Sequence, residues 1–270
     1  TVRQRVLASR WLTAPAVALL IAVAPRGGAA QRAAPERDIE AIADAIVKAQ
    51  MDAERIPGVA AAVLRGDRVI VAKGYGFANL EHMVPVTRET MFESGSMGKM
   101  FTSAGIMAMV EQGRIALDSS VRAYLPDAPA SWQPIRIRNL LSHTSGVPDY
   151  TSETFDYRKD YAEPDLARMA YALTLEFPAG LRWNYSNTGY AMLGVILSKV
   201  GGKPYWQTLR ERIFTPAGMP TARIISESDI VPHRSSGYLP DGAGYRHQNW
   251  VSPVTDRKST RLNSSHEWIS

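Results

Sequence analysis

The sequence predicts an α+β fold in which an antiparallel sheet with a flanking helix carries an inserted all-helical lobe. Three observations predict it. A helical pattern and a hairpin pattern stand together near the start of the body. Strand patterning then stops after Ala72. Four helical patterns follow, separated by loops rich in Pro and Gly, and no internal repeat is visible.

The first helix is predicted from Pro35 to Gln50. Pro suits the opening turn of a helix, and Ile39, Ile42, Ala43, Ile46 and Val47 recur on one face. Two short apolar runs come next, Val59 to Leu64 and Val69 to Ala72. The stretch Arg65-Gly66-Asp67-Arg68 between them carries a turn signal, so the pair reads as a hairpin. Residues 97–112, 164–174, 188–200 and 204–214 read as helices. The first of these is apolar nearly all round, which predicts burial. Two strands alone do not make a stable sheet. Further strands are therefore expected, and the sequence leaves room for them only past residue 255.

The ends differ from the body. Residues 1–30 hold four Arg and no acidic residue, with a 14-residue apolar stretch from Trp11 to Ala24 and the small residues Gly28-Ala29-Ala30 after it. This is the pattern of a secretory signal peptide, with Gln31 as the expected mature start and a periplasmic or secreted destination. A stable membrane anchor is not expected, since spanning takes about 20 apolar residues. Residues 256–270, DRKSTRLNSSHEWIS, show neither helical nor strand periodicity and are expected to be a non-native or disordered tail. The body, 31–255, is expected to be one domain.

Charge and composition narrow the function. The formal charge is +5, yet residues 31–255 hold 24 basic and 24 acidic residues, so the excess lies at the ends and gives no support for nucleic-acid binding. Cysteine is absent, which excludes disulfides, thiolate metal sites and a cysteine nucleophile. The five His fall in no metal-binding spacing, so no metal is expected, and nothing calls for a cofactor.

Ser96 and Lys99 form the first chemical candidate. Ser96 stands at the amino end of a predicted buried helix, where free backbone N–H groups and the helix dipole favour developing negative charge. Lys99 follows three residues later and so lies on the same face. A serine hydroxyl needs a base to become a nucleophile, and a buried amine can be that base. Tyr185 and Asn187, in Tyr185-Ser186-Asn187, form the second. The phenol can act as a base beside a cation, and the amide offers donors and an acceptor to a substrate amide. Asn187 or Thr188 is expected to cap the following helix. His143, in LLSHTSG at 140–146, has no acidic partner at a recognisable spacing and reads as a structural loop residue.

Ser96-x-x-Lys99, LLSHTSG at 140–146, FPAG at 177–180 and Tyr185-x-Asn187, in that order, resemble the serine β-lactamase and penicillin-binding-protein superfamily. The similarity is greatest to the class C β-lactamase-like branch with its DD-peptidase and esterase relatives, and it covers about residues 36–255. The resemblance implies a β-lactamase/DD-peptidase-like fold and an acyl-enzyme mechanism. Ser96 would be the nucleophile, Lys99 and Tyr185 would share its proton, and Asn187 would orient the substrate's acyl side chain. The backbone N–H of Ser96 would supply half of an oxyanion hole. The substrate would be a β-lactam, a D-Ala-D-Ala peptide of peptidoglycan or a small ester.

One departure from the family stands out. Its third motif is a Lys-Thr-Gly or His-x-Gly triplet on an edge strand, and no such triplet follows Asn187; His233-Arg-Ser, His247-Gln-Asn and His266-Glu-Trp do not fit. The closing strands of the sheet are expected to be missing as well, and the 270 residues alone are expected to be inactive and poorly stable. Two other readings compete. An α/β-hydrolase esterase needs G-x-S-x-G, whereas Ser94-Gly95-Ser96-Met97-Gly98 begins with Ser and follows no βαβ alternation. A non-catalytic cell-wall binder would have no use for Ser96, Lys99 and Tyr185 together.

Overall fold

A computed structural model describes residues 36–150, 156, 159, 161–225, 229–248 and the backbone of 261–263. The chain divides into two units, 1–34 and 35–270. The expected signal segment, and all of the expected tail except 261–263, lie outside the described residues.

The first helix, α1, spans Glu36–Glu54, four residues further than its periodicity predicted. Strands β1 (Gly58–Arg65) and β2 (Arg68–Asn79) form the expected hairpin, paired from Gly58 opposite Gly76 to Arg65 opposite Arg68. The turn between them needs a left-handed residue, and Gly66 supplies it with φ +59. Helix α1 packs on this hairpin, tied by an ionic cluster. Lys73 Nζ of β2 donates to Asp44 at 2.7 Å and to Glu40 at 3.2 Å, and Tyr75 Oη donates to Asp44 at 2.7 Å. Hydrogen bonds from Lys73 and Tyr75 hold the Asp44 carboxyl below its ordinary pKa. The tie therefore contributes above the ordinary carboxylate range and is lost as pH falls through the lowered value. Burial, then the bond to Asp44, pushes the Tyr75 phenol up to about 12.

The apolar face of α1 divides on docking. Ile39, Ala43 and Val47 are half-buried, while Ile42 and Ile46 stay 56% and 50% exposed.

The expectation that remaining strands could lie only past residue 255 is overturned. Strand β3 (Val84–Pro85) joins the hairpin in the order β1-β2-β3, and β4 (Met91–Glu93) follows. A second hairpin, β5 (Tyr238–Asp241) and β6 (Gly244–His247), precedes residue 255. The first two are too short to show alternation, and Pro240 inside β5 hides a strand that only an edge could accept. The Asp241-Gly242 turn, with Gly242 at φ +53, was a visible hairpin signal. Residues 261–263 form β7 (Arg261–Asn263), antiparallel to β4, although this stretch shows no strand periodicity.

Between β4 and β5 lies the helical lobe. It comprises α2 (Gly98–Glu111), α3 (Ile137–Leu141), α4 (Glu163–Tyr171), α5 (Asn187–Gly201) and α6 (Tyr205–Leu209), the last passing into a π-helical turn at Arg210–Phe214. One core unites them, with Ile106, Met109, Trp132, Leu140, Leu166, Leu193 and Phe214 almost wholly buried. Trp132 meets Tyr171 edge-on, with centroids 5.4 Å apart. Helix α5 is the central element: every residue from Asn187 to Leu197 is buried, which fixes its amino end rigidly in the lobe.

Helix α2 is less enclosed than its composition predicted. Phe101, Thr102, Gly105, Ile106 and Met109 are buried, but Met100 and Met107, and Met97 just ahead of the helix, are 53%, 45% and 41% exposed. Composition alone gave no direction to this helix; the lobe covers only one of its sides among the described residues.

Candidate active site

Ser96 lies in a tight 3-10 turn, Gly95–Met97, that runs directly into α2. The backbone enters this turn through Gly95 at φ +52, a conformation that side chains with a Cβ rarely adopt. The turn lifts the Ser96 side chain to the surface while Lys99, one turn on, is only 7% exposed. The two still meet: Lys99 Nζ donates to Ser96 Oγ at 3.5 Å.

The structure brings Tyr185 across 89 positions of sequence to this pair. Its Oη lies 2.8 Å from Ser96 Oγ, the shorter of the two contacts to that oxygen. Lys99 Nζ sits 4.7 Å from the centroid of the Tyr185 ring and 5.5 Å from that of Tyr190. The amine thus occupies an aromatic slot, where ring faces attract a cation. Tyr190 is itself fixed, donating to Leu141 O at 2.9 Å and sharing a hydrogen bond with Ser103 at 3.0 Å.

Delivery of Tyr185 depends on two loops that the sequence shows as separate motifs. The LLSHTSG and FPAG segments dock on each other: Glu176 N donates to Gly146 O at 2.9 Å, and Gly180 N to Thr144 O at 2.8 Å. Gly146 has φ +76, and a Cβ there would lie 2.0 Å from Phe177 O. Replacing Gly146 by Ala is expected to destabilise the lobe by more than the about 1–3 kcal/mol that a strained backbone alone costs, because the backbone contact adds to it. A thermal melt of the variant, with Gly180→Ala as a comparison where a Cβ meets nothing closer than 3.9 Å, checks this. An unchanged Gly146→Ala melt would contradict the close approach.

Helix α5 begins at Asn187, and Ser186, not Asn187 or Thr188, caps it; Ser186 Oγ accepts from Gly189 N at 3.0 Å. The cap precedes both expected positions, whose side chains are engaged elsewhere: Thr188 Oγ1 accepts from Tyr150 N at 2.8 Å, and Asn187 Nδ2 donates to Asp149. Asn187 is thereby buried with its side chain held by Asp149, a residue the sequence reading did not single out. Asp149 Oδ2 accepts from Asn187 Nδ2 at 2.7 Å and from Asn187 N at 3.3 Å. This fixes which end of the amide is which and leaves Oδ1 with no hydrogen-bond partner. Asp149 closes the LLSHTSGVPD stretch; its proximity to the Tyr185 motif is a property of the loop docking and has no local signal.

His143, expected to be a structural loop residue, contacts the back of the site. Its ring stacks on Tyr185 with centroids 4.6 Å apart and planes 29° from parallel. Burial first, and the charge of Lys99 second, hold its pKa below the ordinary 6.5. Among the described residues no group of His, Asp and Glu could hold a metal ion.

The arrangement is a surface hydroxyl between a buried amine and a phenol. It can remove a proton from Ser96 and return one to a leaving group, which is what acyl transfer through a serine requires. Residues 43–261 match the family model described as Beta-lactamase. Among curated proteins, penicillin-binding protein 4* of Bacillus subtilis (strain 168) is 33% identical over 184 residues, 65% of this chain and 40% of that protein. Among solved structures, the penicillin-binding protein homologue from Pyrococcus abyssi superposes with a TM-score of 0.71 at 26% identity, covering 84% of this chain and 54% of the other. The D-amino acid amidase from Ochrobactrum anthropi SV3 superposes with a TM-score of 0.74 at 24% identity, covering 84% and 66%. The chain spans less than half the length of the curated relatives it matches. With most of its length under one family model, and with relatives and fold that agree, the chain belongs to the beta-lactamase family within the serine β-lactamase and penicillin-binding-protein superfamily.

Proposed function

We propose that the protein is a serine hydrolase of the class C-like branch that works through an acyl-enzyme on Ser96. The observation that carries this is the placement of Tyr185 Oη 2.8 Å and Lys99 Nζ 3.5 Å from one exposed hydroxyl. Tyr185 and Lys99 act as the proton-transfer pair, and Asn187, oriented by Asp149, meets the acyl side chain of the substrate. The substrate class is an activated acyl compound: a β-lactam, a peptide ending in D-Ala-D-Ala, or a small ester. The amidase relative, whose name specifies a D-amino acid amide, supports including amides of D-residues. Covalent labelling tests the reading. A fluorescent penicillin and a fluorophosphonate are each expected to mark the protein expressed from its own gene. Failure of both, where a known relative is labelled in parallel, would favour a non-catalytic binder.

We further propose that the protein is exported through residues 1–30 and acts in the periplasm or outside the cell. No described helix is long and apolar enough to cross a membrane.

Isolated from any further sequence, residues 1–270 are proposed to be marginally stable. The support is the exposure of Ile42 and Ile46 on α1, of Met97 just before α2 and of Met100 and Met107 on it, which leaves apolar area unburied. A circular-dichroism melt of the 270-residue chain is expected to show a broad, weakly cooperative transition, and an ester assay of the same chain no turnover. A sharp transition together with turnover would overturn this expectation.

A further inference from the structure

Three consecutive residues, 184 to 186, are gripped by one side chain and its own backbone. Asn184 N donates to His143 O at 2.8 Å. The Tyr185 ring lies on the His143 ring at 4.6 Å. Ser186 N donates to His143 Nδ1 at 3.1 Å. Tyr185 therefore has its approach to Ser96 set by His143 from beneath and from both sides in sequence.

His143 is itself held unusually. Its backbone is left-handed, with φ +57, which favours Gly, Asn and Asp over most residues. Its ring also meets Tyr190 at 5.0 Å and Trp183 edge-on at 6.1 Å. The groups facing it are Lys99 from α2, Tyr190 from α5, and Trp183 and Tyr185 from the loop before α5. Of these only Lys99 is an ordinary cation.

An N–H aimed at Nδ1 requires that nitrogen to be unprotonated. Protonation would set one N–H against another and place a second cation beside Lys99. We infer that His143 is a positioning residue for Tyr185, holding the phenol at Ser96 in its neutral form and releasing the Tyr185 loop when protonated. This rests on the acyl-enzyme reading for its effect on turnover, but not for its effect on the loop. The sign follows from the ring's environment. Burial and Lys99 lower its pKa from 6.5, so the unfolded chain takes up the proton first on acidification. Support for the loop is complete above the ordinary His range and declines below it.

The expected results separate the two layers. In the protein expressed from its own gene, kcat on a chromogenic ester should fall on the acid side of pH 6.5 with little change in KM. His143→Asn tolerates the left-handed backbone and can still accept from Ser186 N, but it cannot titrate in this range. It should keep most of the turnover at neutral pH and lose that acid step. His143→Gly tolerates the backbone and lacks both ring and acceptor. It should lose about tenfold to a hundredfold in kcat, the scale of an ångström-level misplacement of a catalytic group. Wild-type kcat in His143→Gly, or an unchanged acid step in His143→Asn, would overturn the inference. NMR on the Ser96→Ala protein removes any dependence on catalysis. Nδ1 of His143 should resonate as an unprotonated acceptor at neutral pH, and the Tyr185 ring signals should move with the His143 titration. A protonated Nδ1 at neutral pH, or Tyr185 signals indifferent to that titration, would refute positioning. Absent turnover with both NMR results intact would instead count against the acyl-enzyme reading alone.

Discussion

Ser96→Ala abolishes covalent labelling by fluorescent penicillin and fluorophosphonate, and lowers turnover by about 10⁴-fold or more, the scale seen when a serine nucleophile is removed. The reasoning is local. Ser96 Oγ is an atom that both Tyr185 Oη and Lys99 Nζ address, at 2.8 and 3.5 Å. Without it, neither base has a proton to take, and no acyl bond forms. The fold should not notice. Ser96 is exposed, and an exposed side chain away from a cap or core changes stability by no more than about 0.5 kcal/mol. The structure gives Ser96 no side-chain capping bond to the turn that carries it; neither cap of the Gly95–Met97 turn uses its hydroxyl. The loss of labelling must therefore come with an unchanged melt. Label that persists in Ser96→Ala would move the nucleophile elsewhere and end the assignment of Lys99 and Tyr185 to it.

How far this site was legible in sequence varies residue by residue. Ser96 and Lys99 were legible because a three-residue spacing at a helix start is a local geometric statement. The first hairpin was legible for the same reason: β1 and β2 are long enough to show their pattern, and Gly66 marks the turn. Tyr185 and Asn187 stood out locally as a phenol and an amide ahead of a helix, but only a resemblance joined them to Ser96, since nothing in the chain between them says that a phenol returns to a serine 89 positions earlier. The structure shows what carries the return. Gly146 lets the LLSHTSG loop touch the FPAG loop at backbone distance, and the chain leaving FPAG then passes over His143. Asp149 was invisible for the complementary reason: an aspartate in a Pro-Asp loop looks like a turn residue, and only the docking shows its carboxylate on Asn187. The strands β3 to β6 were missed where periodicity had too few residues to act on, or where Pro240 argued against a strand that an edge position tolerates. Exposure of Met97, Met100 and Met107 marks the limit of composition as a guide, since an all-apolar helix reads as buried whichever of its sides is covered.

The proton-transfer pair yields a sharper prediction than either member alone. Tyr185→Phe removes the oxygen 2.8 Å from Ser96 but keeps a ring to lie on His143 and under Lys99. Lys99→Met removes the amine but keeps a flexible side chain of similar length at a position that is only 7% exposed. Each is expected to lower the acylation rate by about 10²–10⁴-fold, the contribution of a positioned acid or base. The double variant should lose little more than the worse single. The reason is geometric: the amine lies 4.7 Å from the phenol ring and both address one oxygen, so the proton belongs to a coupled set and removing either member disables the other. Stopped-flow acylation of the four proteins closes the cycle. Losses that multiply would show that Tyr185 and Lys99 act at separate steps, with one serving Ser96 and the other the leaving group, and the shared-proton account would have to be abandoned.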